Sequence, residues 1–160
     1  MGIVLYRVDE RLIHGQVVIG WGGQLNPGRY LVVDDALAAS GWERELYQLS
    51  LPEGVDAEFV TVEEAGRRLP AWQEEEVRSV LLTRNLETML RLAETGQMEG
   101  TTVNLGGIHH APGRRQVSPY LHLDSEDRRR LRRLHQLGLG VTGRDLPGSV
   151  RVSLEALLKE

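Results

Sequence analysis

The run Ile3-Val4-Leu5-Tyr6-Arg7-Val8-Asp9-Glu10-Arg11-Leu12-Ile13-His14-Gly15-Gln16-Val17-Val18 decides how this chain is read. It opens with a short apolar segment, the composition of a strand covered on both faces. It then passes into an apolar helical spacing through Val17, Val18, Trp21 and Leu25. Between them lies a polar loop carrying one imidazole, an arginine and two carboxylates, with Arg7 just before it. A strand that runs through a short loop into a helix is the first half of a parallel βαβ unit.

The same alternation continues outward from this segment. Strands are expected at Gly2–Val8, Arg29–Asp34, Asp56–Val62, Val77–Thr83, Thr101–Leu105 and Leu139–Gly143, with a shorter one near Gln116–Leu121. Helical spacing falls between them. Leu86, Met89, Leu90 and Ala93 share one face behind Asn85, a suitable N-cap. Leu131, Leu134 and Leu137 form another face behind Asp124-Ser125-Glu126-Asp127, whose acids suit a helix N-terminus. Strand and helix in alternation give an α/β fold, with a mainly parallel central sheet and helices on both faces. The 160 residues are read as one domain over residues 1–160. Pro112-Gly113 and Pro147-Gly148 are turns within it.

Composition narrows the function. A formal net charge of -4 argues against nucleic acid as a partner. With no cysteine, disulfides and thiolate chemistry are excluded. No apolar run is long enough to span a bilayer, and the first residues lack the pattern of a signal peptide, so a cytoplasmic protein is expected.

Ligands of open α/β sheets collect beyond the carboxyl ends of the strands. Asp9 to His14, Asp34-Asp35, Thr83-Arg84-Asn85 and Gly106-Gly107 are expected on that rim. An imidazole near its reference pKa of ~6.5 is largely neutral at pH 7 and is a competent nucleophile. A phosphoryl group on His14 would bring concentrated negative charge. Arg11 can meet it with a planar fork of donors, and N–H groups at the start of the Gly15–Leu25 helix can add more. Gly15 removes bulk beside the transferred group, and Asp9 can orient Arg11 or the imidazole. Arg7, at the end of the strand, can pair with Asp9. The alternative is that His14 is an ordinary polar loop residue.

The segment Arg7 to Val17 resembles the signature of the IIB subunits of the mannose/fructose/sorbose class of the bacterial phosphoenolpyruvate-dependent phosphotransferase system. The resemblance continues through Leu31 to Asp35, Pro52 to Val55, Val103-Asn104-Leu105-Gly106-Gly107, Gly113 to Val117 and the Leu134-to-Pro147 stretch. It implies a protein-Nπ-phosphohistidine–sugar phosphotransferase. His14 is then the phosphohistidine, acting through Nδ1, with Arg11 stabilising the phosphoryl group and Asp9 orienting that arginine. From their places in the sequence, Arg7, Gly15, Gln16, Asp34, Asp35 and Arg84 are read as phosphate-binding or supporting residues, with strand termination and helix capping as the alternative for Asp34-Asp35. The implied donor is a IIA protein or domain. The implied acceptor is a sugar imported by membrane IIC and IID subunits, which would bring the chain to the inner membrane. The resemblance also admits a homodimer, and it implies no cofactor and no metal, the phosphoryl group being held covalently. The chain resembles a free-standing IIB. It departs from the family pattern in a shorter Glu63–Arg78 region, at Arg84, and at His109-His110, which bear on sugar transfer and membrane partners. Two other functions stay open. One is a relay that reports to a regulator and moves no sugar, and the other is a non-catalytic binding module.

Remaining features have plainer readings. Gly106-Gly107 is expected to be a turn needing positive φ. Trp21 is expected to pack the first helix into the core, and Trp42 or Trp72 could contribute to an interface. His109 and His110 are expected in a solvated loop, with His122 and His135 as structural or surface residues. The arginines at 128–130, 132 and 133 are expected on the solvated face of an amphipathic helix.

Overall fold

The computed structural model describes residues 2–160. In chain order its strands are β1 (Ile3–Asp9), β2 (Arg29–Val33), β3 (Asp56–Val60), β4 (Ser79–Thr83), β5 (Thr102–Gly107), β6 (Arg115–Ser118), β7 (Leu121–Leu123) and β8 (Gly140–Gly143). Six of them form one sheet in the order β3-β2-β4-β1-β5-β8, every neighbour parallel. β6 and β7 make a separate antiparallel pair. The helices are α1 (Gly22–Leu25), α2 (Asp35–Ala38), α3 (Gly41–Gln48), α4 (Val62–Glu74), α5 (Leu86–Ala93), α6 (Ser125–Gln136) and α7 (Leu154–Leu157).

Side chains alternate across a strand, so each strand feeds two cores. One core joins Tyr6, Val8, Leu31, Leu81, Val103 and Leu105 to the inner faces of α4, α5, α6 and α7. The other joins Tyr30, Val32, Val80 and Leu82 to Leu12, Ile13, Val17 and Leu37. The sheet is therefore covered on both faces, as its apolar strands require.

Helix starts follow local chemistry. Asn85 accepts from Thr88 N–H, and Thr61 accepts from Glu64 N–H. Asp124 and Asp127 form a reciprocal capping box at the start of α6. Some boundaries differ from expectation. β2 stops at Val33 because Asp34 caps α2, and β3 stops at Val60 because Thr61 caps α4. β5 runs on through Gly106 and Gly107.

β1 lies between β4 and β5. The helix after β1 packs with the second core, whereas α5, after β4, and α6, reached from β5 through the β6–β7 pair, pack with the first. The chain thus leaves neighbouring strands in opposite directions, and the carboxyl end of β1 sits at a topological switch point, where such sheets bind ligands.

Candidate active site around His14

The loop after β1 is anchored from below. Leu12 is fully buried and adopts a left-handed φ of 54°. Such a conformation in a non-glycine residue stores strain and persists only where the surroundings hold it. Here the second core holds the Leu12 and Ile13 side chains, and Leu12 N–H donates to the Asp9 carbonyl at 3.0 Å. The loop is pinned two residues before His14, whose side chain keeps 17% exposure.

The helix that follows is not α-helical at first. Gln16–Trp21 is a π-helical turn, and both Val17 and Val18 donate to the His14 carbonyl, at 3.1 and 2.9 Å. Single π turns are concentrated at functional sites. Gly15 is exposed, and a Cβ there would meet nothing within 4 Å, so space beside His14 is open to solvent.

Asp9 is the centre of the cluster. Its side chain is fully enclosed and accepts five hydrogen bonds. Oδ1 accepts from Arg11 N–H at 3.0 Å and Arg11 Nε at 3.1 Å. Oδ2 lies 3.2 Å from Arg7 Nη2, 3.1 Å from Arg11 Nη2 and 3.1 Å from His14 Nε2. Burial alone would raise the pKa of this carboxyl. The hydrogen bonds from His14 and Arg11, with the charge of Arg7, outweigh it and hold Asp9 well below the usual carboxylate range.

The two arginines differ in kind. Arg11 is partly exposed and grips Asp9 through Nε and Nη2, while Nη2 also donates to Gln16 Oε1 at 3.0 Å. Its Nη1 makes no hydrogen bond among the described residues. Arg7 is wholly buried, so it supports Asp9 from beneath and has no direct route to a phosphoryl group. Burial lowers the Arg7 pKa, and the Asp9 carboxylate opposes this.

Other expected rim residues lie outside this cluster. Asp34 accepts from Leu37 N–H at 2.9 Å and from Arg84 Nε at 3.2 Å. Asp35 accepts from Val62 N–H at 2.9 Å and Arg91 Nη1 at 3.1 Å. None of the hydrogen bonds among the described residues joins Asp34, Asp35 or Arg84 to His14.

Several expectations are corrected. Neither Gly106 nor Gly107 has positive φ; both are strand residues. A Cβ on Gly106 would overlap the Arg7 guanidinium, and one on Gly107 would stand 3.0 Å from Arg11 Nη2 and Asp9 Oδ1. The glycines make room for the two arginines. Trp21 is buried as expected, but against a cation: its ring lies 5.2 Å from the Arg7 guanidinium and its Nε1 donates to the Asp145 carbonyl at 2.8 Å. Trp72 is core, whereas Trp42 is exposed beside Ile13 in an apolar groove shared with Leu46 and Tyr47. His109 is exposed but not idle. Its backbone N–H donates to Glu10 at 2.9 Å and its Nδ1 faces the same carboxylate, which also meets Arg114 at 3.3 Å. On α6, Arg129, Arg132 and Arg133 are exposed as expected, Arg129 pairing with Glu126 and Arg133 with Glu94, whereas Arg130 is largely covered and reaches the buried Asp127.

The family model described as PTS system sorbose subfamily IIB component matches residues 3–160. The chain belongs to this family. It is 30% identical to the N-acetylgalactosamine-specific phosphotransferase enzyme IIB component 1 of Escherichia coli, over 91% of this chain and 92% of that protein. It is 32% identical to the mannose-specific EIIAB component of Escherichia coli, over 100% of this chain and 49% of that longer protein. The crystal structure of the IIBSor domain of the sorbose permease from Klebsiella pneumoniae superposes with a TM-score of 0.87 at 29% identity, covering 98% of this chain and 96% of that one. As a IIB component the protein is a phosphotransferase of the phosphotransferase system. Its family works with IIA, which is joined to IIB in the mannose EIIAB relative. No helix among the described residues is long and apolar enough to cross a membrane.

Proposed function

We propose that this IIB protein accepts a phosphoryl group from a IIA histidine on Nδ1 of His14 and passes it to a sugar delivered by membrane IIC and IID partners. One observation carries the reading. His14 Nε2 is engaged by the buried Asp9 carboxylate at 3.1 Å, while Nδ1 has no hydrogen-bond partner among the described residues. A carboxylate only accepts, so Nε2 carries the proton and Nδ1 carries the lone pair.

The Nδ1 lone pair attacks phosphorus, the N–P bond to the donor histidine breaks, and its electron pair returns to the donor ring. The phosphorylated ring gains positive character, which the ionised Asp9 stabilises through the Nε2–H bond. Arg11, its plane fixed by Asp9 and Gln16, turns Nη1 to the phosphoryl oxygens as a charged donor. Little further covalent help is needed, because phosphoryl transfer depends on positioning and charge. In the second step a sugar hydroxyl oxygen attacks phosphorus, the Nδ1–P bond breaks, and the hydroxyl proton leaves to solvent or to a base of the membrane partner. The group stays covalent throughout, with no cofactor. The open space at Gly15 and the exposed Trp42 and Leu46 beside Ile13 suit approach by a protein donor. The relatives' names point to hexoses and amino sugars as the acceptor class.

The test is phosphotransfer from phosphoenolpyruvate through enzyme I, HPr and IIA, read by intact mass. One acid-labile phosphoryl group on the wild type and none on His14→Ala is expected. Equal phosphorylation of His14→Ala, or none on the wild type from a IIA active towards another IIB, overturns the proposal.

A further inference from the structure

We infer that Asn104 on β5 is a positioning residue that decides which ring nitrogen of His14 takes the phosphoryl group, acting through Arg7 and Asp9. This rests on the phosphoryl transfer proposed above and adds to it a residue outside the loop and a selectivity.

The β1–β5 register sets Asn104 beside Arg7. Arg7 Nη1 donates to Asn104 Oδ1 and to the Arg144 carbonyl, the latter at 2.8 Å. Arg7 Nη2 donates to the Asp145 carbonyl at 3.0 Å and to Asp9 Oδ2 at 3.2 Å. The guanidinium is wholly buried, Trp21 lies against it, and Gly106 backs it so closely that no Cβ fits. Its Nε finds no acceptor among the described residues. A buried cation needs its acceptors, because each donor left unpaired costs its full desolvation. Two acceptors are backbone carbonyls, and among the described residues Asn104 is the one side chain besides Asp9 that supplies another, so Asn104 and the close approach of Gly106 help fix where the guanidinium sits.

That position reaches His14 by one shared atom. Asp9 Oδ2 receives Arg7, Arg11 and His14 together. With three donors on one oxygen, the carboxylate has little rotational freedom, and the Nε2–H of His14 is held against it. If Arg7 moves, Oδ2 loses a donor and one of the two guanidinium charges beside it. The imidazole is then free to present Nε2 as well as Nδ1. A residue serving stability alone would change the unfolding midpoint and leave the nitrogen unchanged.

The test uses Asn104→Leu, which keeps bulk and removes the acceptor, and Gly106→Ala, which keeps the acceptor and displaces the guanidinium. Asn104→Asp, which keeps an acceptor, serves as the conservative variant. Two readouts are taken on the intact chain: ¹⁵N NMR of the His14 ring before phosphorylation, and ³¹P NMR of the phosphohistidine formed from phosphorylated IIA. The wild type is expected to show a single Nε2–H tautomer and only Nδ1-phosphohistidine. Asn104→Leu and Gly106→Ala are expected to show mixed tautomers, transfer slowed about tenfold or more, and a measurable share of Nε2-phosphohistidine. Asn104→Asp is expected to restore the wild-type isomer. A folded Asn104→Leu with the wild-type tautomer and only the Nδ1 isomer overturns the inference while leaving phosphoryl transfer standing. If that variant does not fold, Gly106→Ala decides by the same readouts. A wild type that takes no phosphoryl group on His14 overturns the proposed function instead, and the inference with it.

Discussion

Asp9 ends β1 and Asp34 follows the end of β2, each beside an arginine on the same rim of the sheet. Asp9 is fully enclosed and takes five hydrogen bonds, two guanidiniums and an imidazole among the donors. Asp34 takes two, one from the first turn of α2 and one from the half-exposed Arg84. The chemical types match, but the work differs. Asp34 ends a strand and starts a helix, whereas Asp9 is buried with charges that could otherwise stay in water. That desolvation is tolerated only with good geometry and full pairing. The same pairing leaves the His14 imidazole with one nitrogen unpartnered among the described residues.

The sharpest break in this comparison is His14→Ala, which is expected to abolish phosphoryl acceptance completely while circular dichroism and the thermal transition stay close to wild type. Next comes Asp9→Ala. It leaves Arg7 buried without its counter-charge, and urea unfolding should show a loss of about 3–5 kcal/mol together with loss of transfer. The same carboxylate predicts an acid limit. Its folded pKa is depressed by His14, Arg11 and Arg7 despite burial. Its contribution is therefore fully present above the unfolded value of ~3.9 and is lost as pH falls below it. Stability measured from pH 5 to pH 2 should fall less steeply in Asp9→Ala than in the wild type.

Arg11→Ala should raise the transfer barrier by about 3 kcal/mol, on the order of 100-fold in rate, with a much smaller change in stability because Arg11 is partly exposed. Transfer from IIA at the wild-type rate would remove Arg11 from the phosphoryl site. On the other side of the comparison, Asp34→Ala should cost about 1 kcal/mol in urea unfolding, the value of a helix cap, with transfer retained. Arg91→Ala breaks an exposed pair with Asp35 and should change stability by less than ~1 kcal/mol. A hundredfold loss of transfer in either variant would show that the two ends of the rim act as one site.

The fold was legible wherever a short-range cause set it. The apolar strands, the Asn85 cap and the Asp124 capping box depend on residues a few positions apart, and each is where local chemistry puts it. The gathering of Arg7, Arg11 and His14 on Asp9 was legible because these residues lie within eight positions of one another. Gly106 and Gly107 were not, because their reason lies on another strand, in the guanidiniums of Arg7 and Arg11. Trp21 shared the apolar spacing of its helix, yet the neighbour it meets is the buried Arg7, which no periodicity announces. The left-handed Leu12 was equally hidden, since the core beneath it imposes that conformation on a residue that does not favour it. Asp34 and Asp35 could be read either onto the site or as strand end and helix cap, and Asp34 is the cap of α2; hydrogen bonding, set by tertiary distance, ties Arg84 to Asp34 and Arg91 to Asp35 rather than to His14.

The central claim is that Asp9 reserves Nε2 of His14 and so directs the phosphoryl group to Nδ1. It is tested most directly by ³¹P and ¹⁵N NMR of the wild-type protein phosphorylated through IIA. One phosphohistidine is expected, bonded through Nδ1, with Nε2 still protonated. A phosphoryl group on Nε2, or on any residue other than His14, would contradict it.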